Sequence, residues 1–171
     1  MRAYSSTGLA SEVTYQYRIR AYNLNGNSAY SGLASGKTHW NMVGGKTVSA
    51  QSSNASFPAG NAIDKNTSTR WSASGNALPQ WWKVDLLSTR VLSEIEVMWE
   101  KSGTGNVYKY YVETSPDNVA WTRRVDATAN TSTAQTQAKT LSASARYVRI
   151  MITGAPANSA ASFYEFRVFG K

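Results

Sequence analysis

The feature that most constrains this chain is a two-residue alternation of apolar and polar side chains, in short runs interrupted by Gly, Ser and Asn. Trp82, Val84 and Leu86 alternate with Trp81, Lys83 and Asp85, and Ile95, Val97 and Trp99 alternate with Glu94, Glu96, Met98 and Glu100. Tyr108, Tyr110 and Val112 repeat the pattern, as do Val148, Ile150 and Ile152 and, last, Phe166 and Val168. Successive side chains of a strand point to opposite faces, so each run describes a strand with one face in a core. No amphipathic helix of convincing length accompanies them. From about His39 to Lys171 the chain therefore reads as all-β, a sandwich or a barrel. Ser115-Pro116-Asp117-Asn118 is a turn leading into Trp121, and the Thr-, Ala-, Ser- and Gln-rich stretch 128–140 is a long loop or a weak edge strand.

Residues 1–38 form a separate first unit. Tyr15, Tyr17, Ile19 and Ala21 alternate with Thr14, Gln16, Arg18 and Arg20, which predicts a half-buried strand over 14–22. Asn25-Gly26 marks a turn, and 28–38 returns as a second strand. Thr7-Gly8-Leu9, the Tyr15 strand and Gly26-Asn27-Ser28-Ala29-Tyr30-Ser31 together resemble the last strands of a fibronectin type III module, in which Tyr15 takes the tyrosine-corner position. The other sheet of such a sandwich is missing, so the hairpin is expected to be poorly ordered, borrowed onto the next domain or paired with another chain.

Charge and composition narrow the function. The absence of cysteine removes disulfides and thiol chemistry, and with one histidine the usual catalytic triads are missing too. The net charge of +8 comes from Lys and Arg spread singly, with Arg123-Arg124 the one adjacent pair. That distribution favours solubility over a phosphate-tracking groove, so no nucleic-acid partner is expected. Neither a signal peptide nor a membrane-spanning apolar run is present. The chain reads as an internal piece of a longer secreted, extracellular protein, monomeric and with no membrane partner. An aromatic fraction of 12% suits sugar binding, because a ring face stacks on the C–H face of a pyranose.

One polar loop, 61–71, concentrates oxygen donors. Asp64, Asn66 and Thr69 are spaced so that a tight turn brings them, with a carbonyl near Asn61, toward one hard cation such as Ca²⁺. The same residues also make ordinary Asx turns, and spacing alone leaves both readings open.

Read as an ordered series, the second unit resembles a known family. The series runs Asp64-x-Asn66-x-x-Thr69-x-Trp71, Trp81-Trp82-Lys83-Val84-Asp85-Leu86, Ile95-Glu96-Val97-Met98-Trp99-Glu100, and Tyr110-x-Val112-x-Thr114-Ser115-x-Asp117-x-x-x-Trp121. Ala145-Arg146-Tyr147-Val148-Arg149-Ile150 and Tyr164-Glu165-Phe166-x-Val168-x-Gly170 complete it. It is similar to the discoidin, or coagulation-factor C-type, domains and among them to the bacterial family 32 carbohydrate-binding modules. The resemblance implies a jelly-roll β-sandwich whose loops at one end bind ligand. It also implies a structural Ca²⁺ held by the carbonyls of Asn61 and Tyr164 and the side chains of Asp64, Asn66, Thr69 and Glu165.

For ligand, the resemblance points to Arg70 and Glu100, which match positions used by glucosamine-binding relatives attached to chitosanases. The lone His39 stands at the outset of the unit and does not supply the histidine that galactose binders use. Lys101, Asn106, Asn76 and Asn158 lie on small polar loops that reach the same end. The expected function is a non-catalytic module, in one parent chain with a catalytic domain such as a chitosanase or glucanase, that targets it to a chitosan or β-glucan type polysaccharide. A discoidin-type adhesion domain is the alternative, and would need apolar spikes on the loops, for which Phe57 and Leu78 qualify. Catalysis by a carboxylate pair such as Glu100 and Asp117 is left open by sequence, which gives no separations.

Overall fold

The computed structural model describes Ser6, Leu9, residues 13–38 and residues 40–171, so Thr7, Gly8 and His39, invoked above, lie outside the described residues. The chain divides into two compact units, Met1–Trp40 and Asn41–Lys171.

In the first unit β1 (Thr14–Tyr17) runs antiparallel to β4 (Ala34–Lys37), in register from Thr14↔Lys37 to Tyr17↔Ala34. At the tip β2 (Tyr22–Asn23) pairs with β3 (Gly26–Asn27) around Leu24 and Asn25, one residue ahead of the expected turn, with Gly26 at φ +119°. Between these pairs serine hydroxyls complete the ladder. Ser31 N–H donates to the Ile19 carbonyl at 2.7 Å while Ile19 N–H donates to Ser31 Oγ at 3.0 Å, and Ser28 does the same with Ala21. The expectation of a half-buried strand over 14–22 is corrected: regular pairing stops at Tyr17, and Ile19 and Tyr22 are 76% and 80% exposed. Among the described residues of this unit no second sheet covers the hairpin, so these side chains stay exposed.

The second unit holds β5 (Trp40–Asn41, shared with the boundary), β6 (Thr47–Ala50), a 3₁₀ turn (Ala59–Ile63), β7 (Trp71–Ser72), β8 (Gln80–Trp99), β9 (Lys109–Ser115), β10 (Thr122–Ala127), β11 (Thr136–Gly154) and β12 (Ser162–Gly170). The order is β10-β9-β11-β8-β12-β5, with β6 added to β8 and β7 to β12. Two long strands serve both layers. The first half of β8 pairs with β6 and with the second half of β11, which also carries β9; the second half of β8 pairs with β12 and with the first half of β11. Both strands change layer where the alternation breaks: Leu87 to Val91 is an exposed run opening on Leu87 at φ +70°, and β11 slips register between Thr140 and Tyr147. Strands that cross between packed sheets through such bends close a jelly-roll sandwich. The stretch 128–140 is thus both things expected of it, a loop to 135 and then pairing on β8.

All five alternating runs place their apolar members in the core. Its aromatic part is continuous. Phe163 lies 5.0 Å from Trp71 and 5.6 Å from Trp82 between ring centroids, and Trp99 stacks on Tyr108 at 4.2 Å and 6°. These rings form the base on which the loops at one end of the sandwich rest.

Candidate functional site

Two buried indoles fix the loops through their polar edge, which finds acceptors there as that of Trp99 does not among the described residues. Trp71, which ends the 61–71 loop, donates Nε1–H to the Ser52 carbonyl at 3.2 Å and to Ser53 Oγ at 3.1 Å; Trp82 donates to the Ala59 carbonyl at 3.1 Å. β7 then holds the 54–57 loop on one side, with Ser72 N–H on the Phe57 carbonyl, and residue 161 on the other. Phe57, Arg70, Glu100 and Ser162 are brought together by this arrangement.

Arg70 sits over Phe57, guanidinium carbon to ring centroid 3.6 Å, and its buried Nε is 3.2 Å from Glu100 Oε1, an ion pair in which that N–H makes no hydrogen bond among the described residues. Both charged side chains keep about a quarter of their surface in solvent, 26% and 23%. The other Glu100 oxygen accepts from Ser162 Oγ at 2.5 Å, and that hydroxyl is 3.4 Å from the Tyr108 hydroxyl. Burial pushes the Tyr108 phenol up, Ser162 opposes this, and the charge of Glu100 adds to it. The next residue, Lys101, donates Nζ–H to Ser159 Oγ at 2.7 Å, beside Asn158 at φ +57°. Residues 159–162 therefore anchor Glu100 and Lys101 alike.

Of the expected ligand residues, Arg70 and Glu100 meet, and Lys101 on the loop after β8 is tied through Ser159 to the β11–β12 loop that carries Asn158. Asn106 is spent inside its own turn, donating Nδ2–H to the Ser102 carbonyl at 2.8 Å. Asn76 is exposed on the 72–79 loop, which hangs from Ser52 through Ser74 N–H at 3.2 Å; no described contact joins either amide to the Arg70–Glu100 pair. Phe57, offered as an apolar spike, is half-buried under Arg70 instead. Ser162 and Tyr108 were missed. Neither carries a sequence signal beyond alternation, since the bond to Glu100 spans 62 residues. Asp117 is used locally: its carboxylate accepts from Val119 N–H, Ala120 N–H and Ser115 Oγ, which hold its pKa below the usual range, and it caps a turn.

The loop 61–69 has a different character. Asp64 Oδ1 accepts from Asn66 N–H at 2.8 Å, Asp64 Oδ2 from Thr69 Oγ1 at 2.6 Å, and Asn66 Oδ1 from Ser68 N–H at 3.0 Å. Across from it a bulge between Phe163 and Glu165 shifts the phase of β12, and Glu165 is 1% exposed. Among the described residues neither Glu165 oxygen makes a hydrogen bond of full geometry, although the Lys65 backbone and the Asp64 carboxyl lie close enough to act on it, and the nearest cation, Arg167 Nε, is 4.0 Å away. Burial pushes the Glu165 carboxyl up; Arg167 opposes this and Asp64 adds to it. A buried carboxylate facing a second carboxylate is costly unless a cation compensates. Among the described residues no group of three or more His, Cys, Asp or Glu gathers, so an ion here would rest on two carboxylates and neutral oxygens, a hard-oxygen donor set of the kind calcium takes.

The comparisons with known proteins can now be set beside this geometry. No curated protein matches the chain. Among solved structures, chitosan-binding module 1 from the chitosanase/glucanase of Paenibacillus sp. IK-5 matches with TM-score 0.68 and 29% identity, over 77% of this chain and 100% of that one. Chitosan-binding module 2 of that enzyme, solved with chitotriose, matches with TM-score 0.67 and 26% identity, over 76% and 100%. A CBM32 module from Clostridium perfringens, in complex with GlcNAc-α-1,4-galactose, shares the fold with TM-score 0.68 at 21% identity, over 78% and 95%. The F5/8 type C domain family matches residues 46–166, most of the sandwich and every strand just described from β6 to β11, and the chain belongs to that family.

Proposed function

We propose that this protein is a non-catalytic carbohydrate-binding module that attaches its parent chain to a polysaccharide of the chitosan or β-glucan type. The observation that carries the reading is the cluster at the loop end: an Arg70–Glu100 pair about a quarter exposed, seated on Phe57 and backed by Ser162 and Tyr108. A guanidinium held over a ring and a carboxylate fixed by a hydroxyl form a rigid edge of directed donors and acceptors, suited to pairs of sugar hydroxyls. The likeness to two chitosan-binding modules, at 29% and 26% identity, supports the same ligand class.

The parent chain in this reading is a secreted bacterial glycoside hydrolase, with its catalytic domain elsewhere, and the module acts as an extracellular monomer. Residues 13–38 are the closing strands of a fibronectin type III-like spacer. The Asn61 and Tyr164 carbonyls and Asp64, Asn66, Thr69 and Glu165 would hold a Ca²⁺, which would supply the countercharge that the buried Glu165 carboxylate lacks and fix the loop before Arg70. Its role is structural.

Affinity electrophoresis through gels containing chitosan, laminarin, galactan or an acidic polysaccharide tests the reading. Retardation by chitosan or laminarin that Arg70→Ala abolishes supports it; equal mobility in all four gels would remove it.

A further inference from the structure

We infer that the first unit carries a binding surface of its own, independent of the Arg70–Glu100 site: the face of the hairpin that bears Arg18, Arg20 and Tyr30 takes the carboxylates of an acidic, uronate-type polysaccharide.

The starting observation is a pair of guanidiniums gathered on one ring. The guanidinium carbons of Arg18 and Arg20 lie 4.0 and 5.1 Å from the centroid of Tyr30. Both arginines are exposed, and Tyr30 is 47% exposed. The ring is held opposite them by the backbone on either side, since Ser28 pairs with Ala21 and Ser31 with Ile19. Two like charges drawn to one place repel each other unless an anion compensates them. In the second unit that anion is present. Arg70, Arg123, Arg146 and Arg149 each lie over a ring, and each is paired with a carboxylate, that of Glu100, Asp126, Asp85 and Glu113 in turn. Arg18 and Arg20 have no such partner among the described residues, and the stretch 13–38, which also holds Lys37, contains no Asp or Glu. A carboxylate brought by a ligand completes the same arrangement.

The surroundings select the kind of ligand. Thr14 and Gln16 alternate onto the arginine face, and Ser35 stands in register with Gln16; all three are exposed. Hydroxyls, an amide and two guanidinium forks match the hydroxyls and carboxylates that a uronate chain presents in turn. A nucleic acid fits less well, because its bases need a free ring to stack on and this one is covered by guanidiniums. A bilayer also fits less well, because Tyr15, Tyr17 and Ile19 alternate onto the other face. A sheet laid on those apolar residues would leave the arginine face open.

Amide chemical-shift titration of the full chain with trigalacturonate, and with the neutral trisaccharide of the same α-1,4-galactose backbone, tests the inference. Trigalacturonate should shift the amides of 16–20 and 28–31. It should bind on the order of tenfold tighter than the neutral sugar in low salt and lose that advantage at about 1 M salt, where the screening length falls to about 3 Å. Arg18→Gln with Arg20→Gln should erase the advantage, and Arg18→Lys with Arg20→Lys should keep most of it. Arg90→Gln with Lys171→Gln, which removes two exposed cations from the second unit, should leave it intact. Equal losses in the two glutamine pairs would make the effect one of net charge and overturn the inference. Equal binding of the two trisaccharides, tighter binding of an oligothymidylate of equal charge, or shifts confined to the second unit would overturn it as well, and each leaves the Arg70–Glu100 reading to its own test.

Discussion

Two glutamates, Glu100 and Glu165, flank the same aromatic core and are treated in opposite ways. Glu100 stands just past β8, with Oε2 hydrogen-bonded to Ser162, Oε1 paired by charge with Arg70 at 3.2 Å and a quarter of its surface in water; Glu165, inside β12, is 1% exposed, with neither oxygen in a full hydrogen bond among the described residues. The first is a carboxylate whose countercharge the fold itself supplies. The second is one the fold has prepared, since a buried charge without partners calls for a cation that the protein alone does not supply. A site that touches ligand needs its charges held and half open, and a site that clasps an ion needs them close and dry. The loop 61–71 serves both, with Asp64 on the side of Glu165 and Arg70 on the side of Glu100.

The harshest way to break this contrast is to cut the loop's common root. Trp71→Ala removes a buried indole that ties 52–53 to β7, and should cost about 3–5 kcal/mol in denaturant unfolding while abolishing sugar binding together with any response to Ca²⁺. Retention of either response would mean that the two halves of the loop are built independently.

The next test separates the glutamates by their need for an ion. Calcium at about a hundred times its dissociation constant should stabilise the protein by about 2.7 kcal/mol, and a chelator should reverse this as a fall in Tm of roughly 5–10 °C. Glu165→Gln should make the protein indifferent to both and slightly more stable without calcium, because a buried charge has gone. Glu100→Gln should leave the calcium response unchanged.

On the ligand side the expected effects are smaller. Arg70→Ala or Glu100→Ala should weaken oligosaccharide binding about tenfold, near 1.4 kcal/mol, and alter stability by less than about 1 kcal/mol, as expected for an ion pair that reaches solvent. A loss of stability as large as that of Trp71→Ala would make the pair a structural brace.

The smallest effect concerns a third carboxylate, which serves as a control. Asp85 takes a bidentate pair from Arg146 at 2.7 Å, and that bond holds its pKa below the usual carboxylate value. Its stabilisation is therefore full above the unfolded carboxylate pKa and is lost as pH falls through the folded one. Asp85→Asn should flatten the acid side of the stability profile slightly and leave calcium and sugar binding untouched.

Much of this was legible in the sequence, because alternation is a local property. Trp82, Val84 and Leu86, and Ile95, Val97 and Trp99, announce their core face two residues at a time. What they do not announce is that both runs belong to one strand, since the exposed bend from Leu87 to Val91 reads as a break. The alternation of Tyr15 to Ala21 misled for the complementary reason: a pattern says which face is apolar, and only a partner sheet buries it. At the site, Arg70 and Glu100 were found through family resemblance. Phe57, Ser162 and Tyr108 were not assigned to it, because their roles depend on contacts across many residues that leave no periodic trace. Asn76 and Asn106 reached the ligand-residue set by loop chemistry alone, and loop chemistry spends such amides on its own turns as readily as on ligands.

The central claim is that sugar is gripped at the Glu100 side of the loop while the Glu165 side only holds its shape. Amide chemical-shift mapping of the full chain during titration with cellotriose, in saturating calcium, tests it most directly. The account predicts shifts concentrated at Phe57, Arg70, Glu100, Lys101 and residues 158–162, with the amides of Asp64 and Glu165 nearly still. Shifts confined to remote loops such as 115–121, or strongest at Asp64 and Glu165, would contradict it.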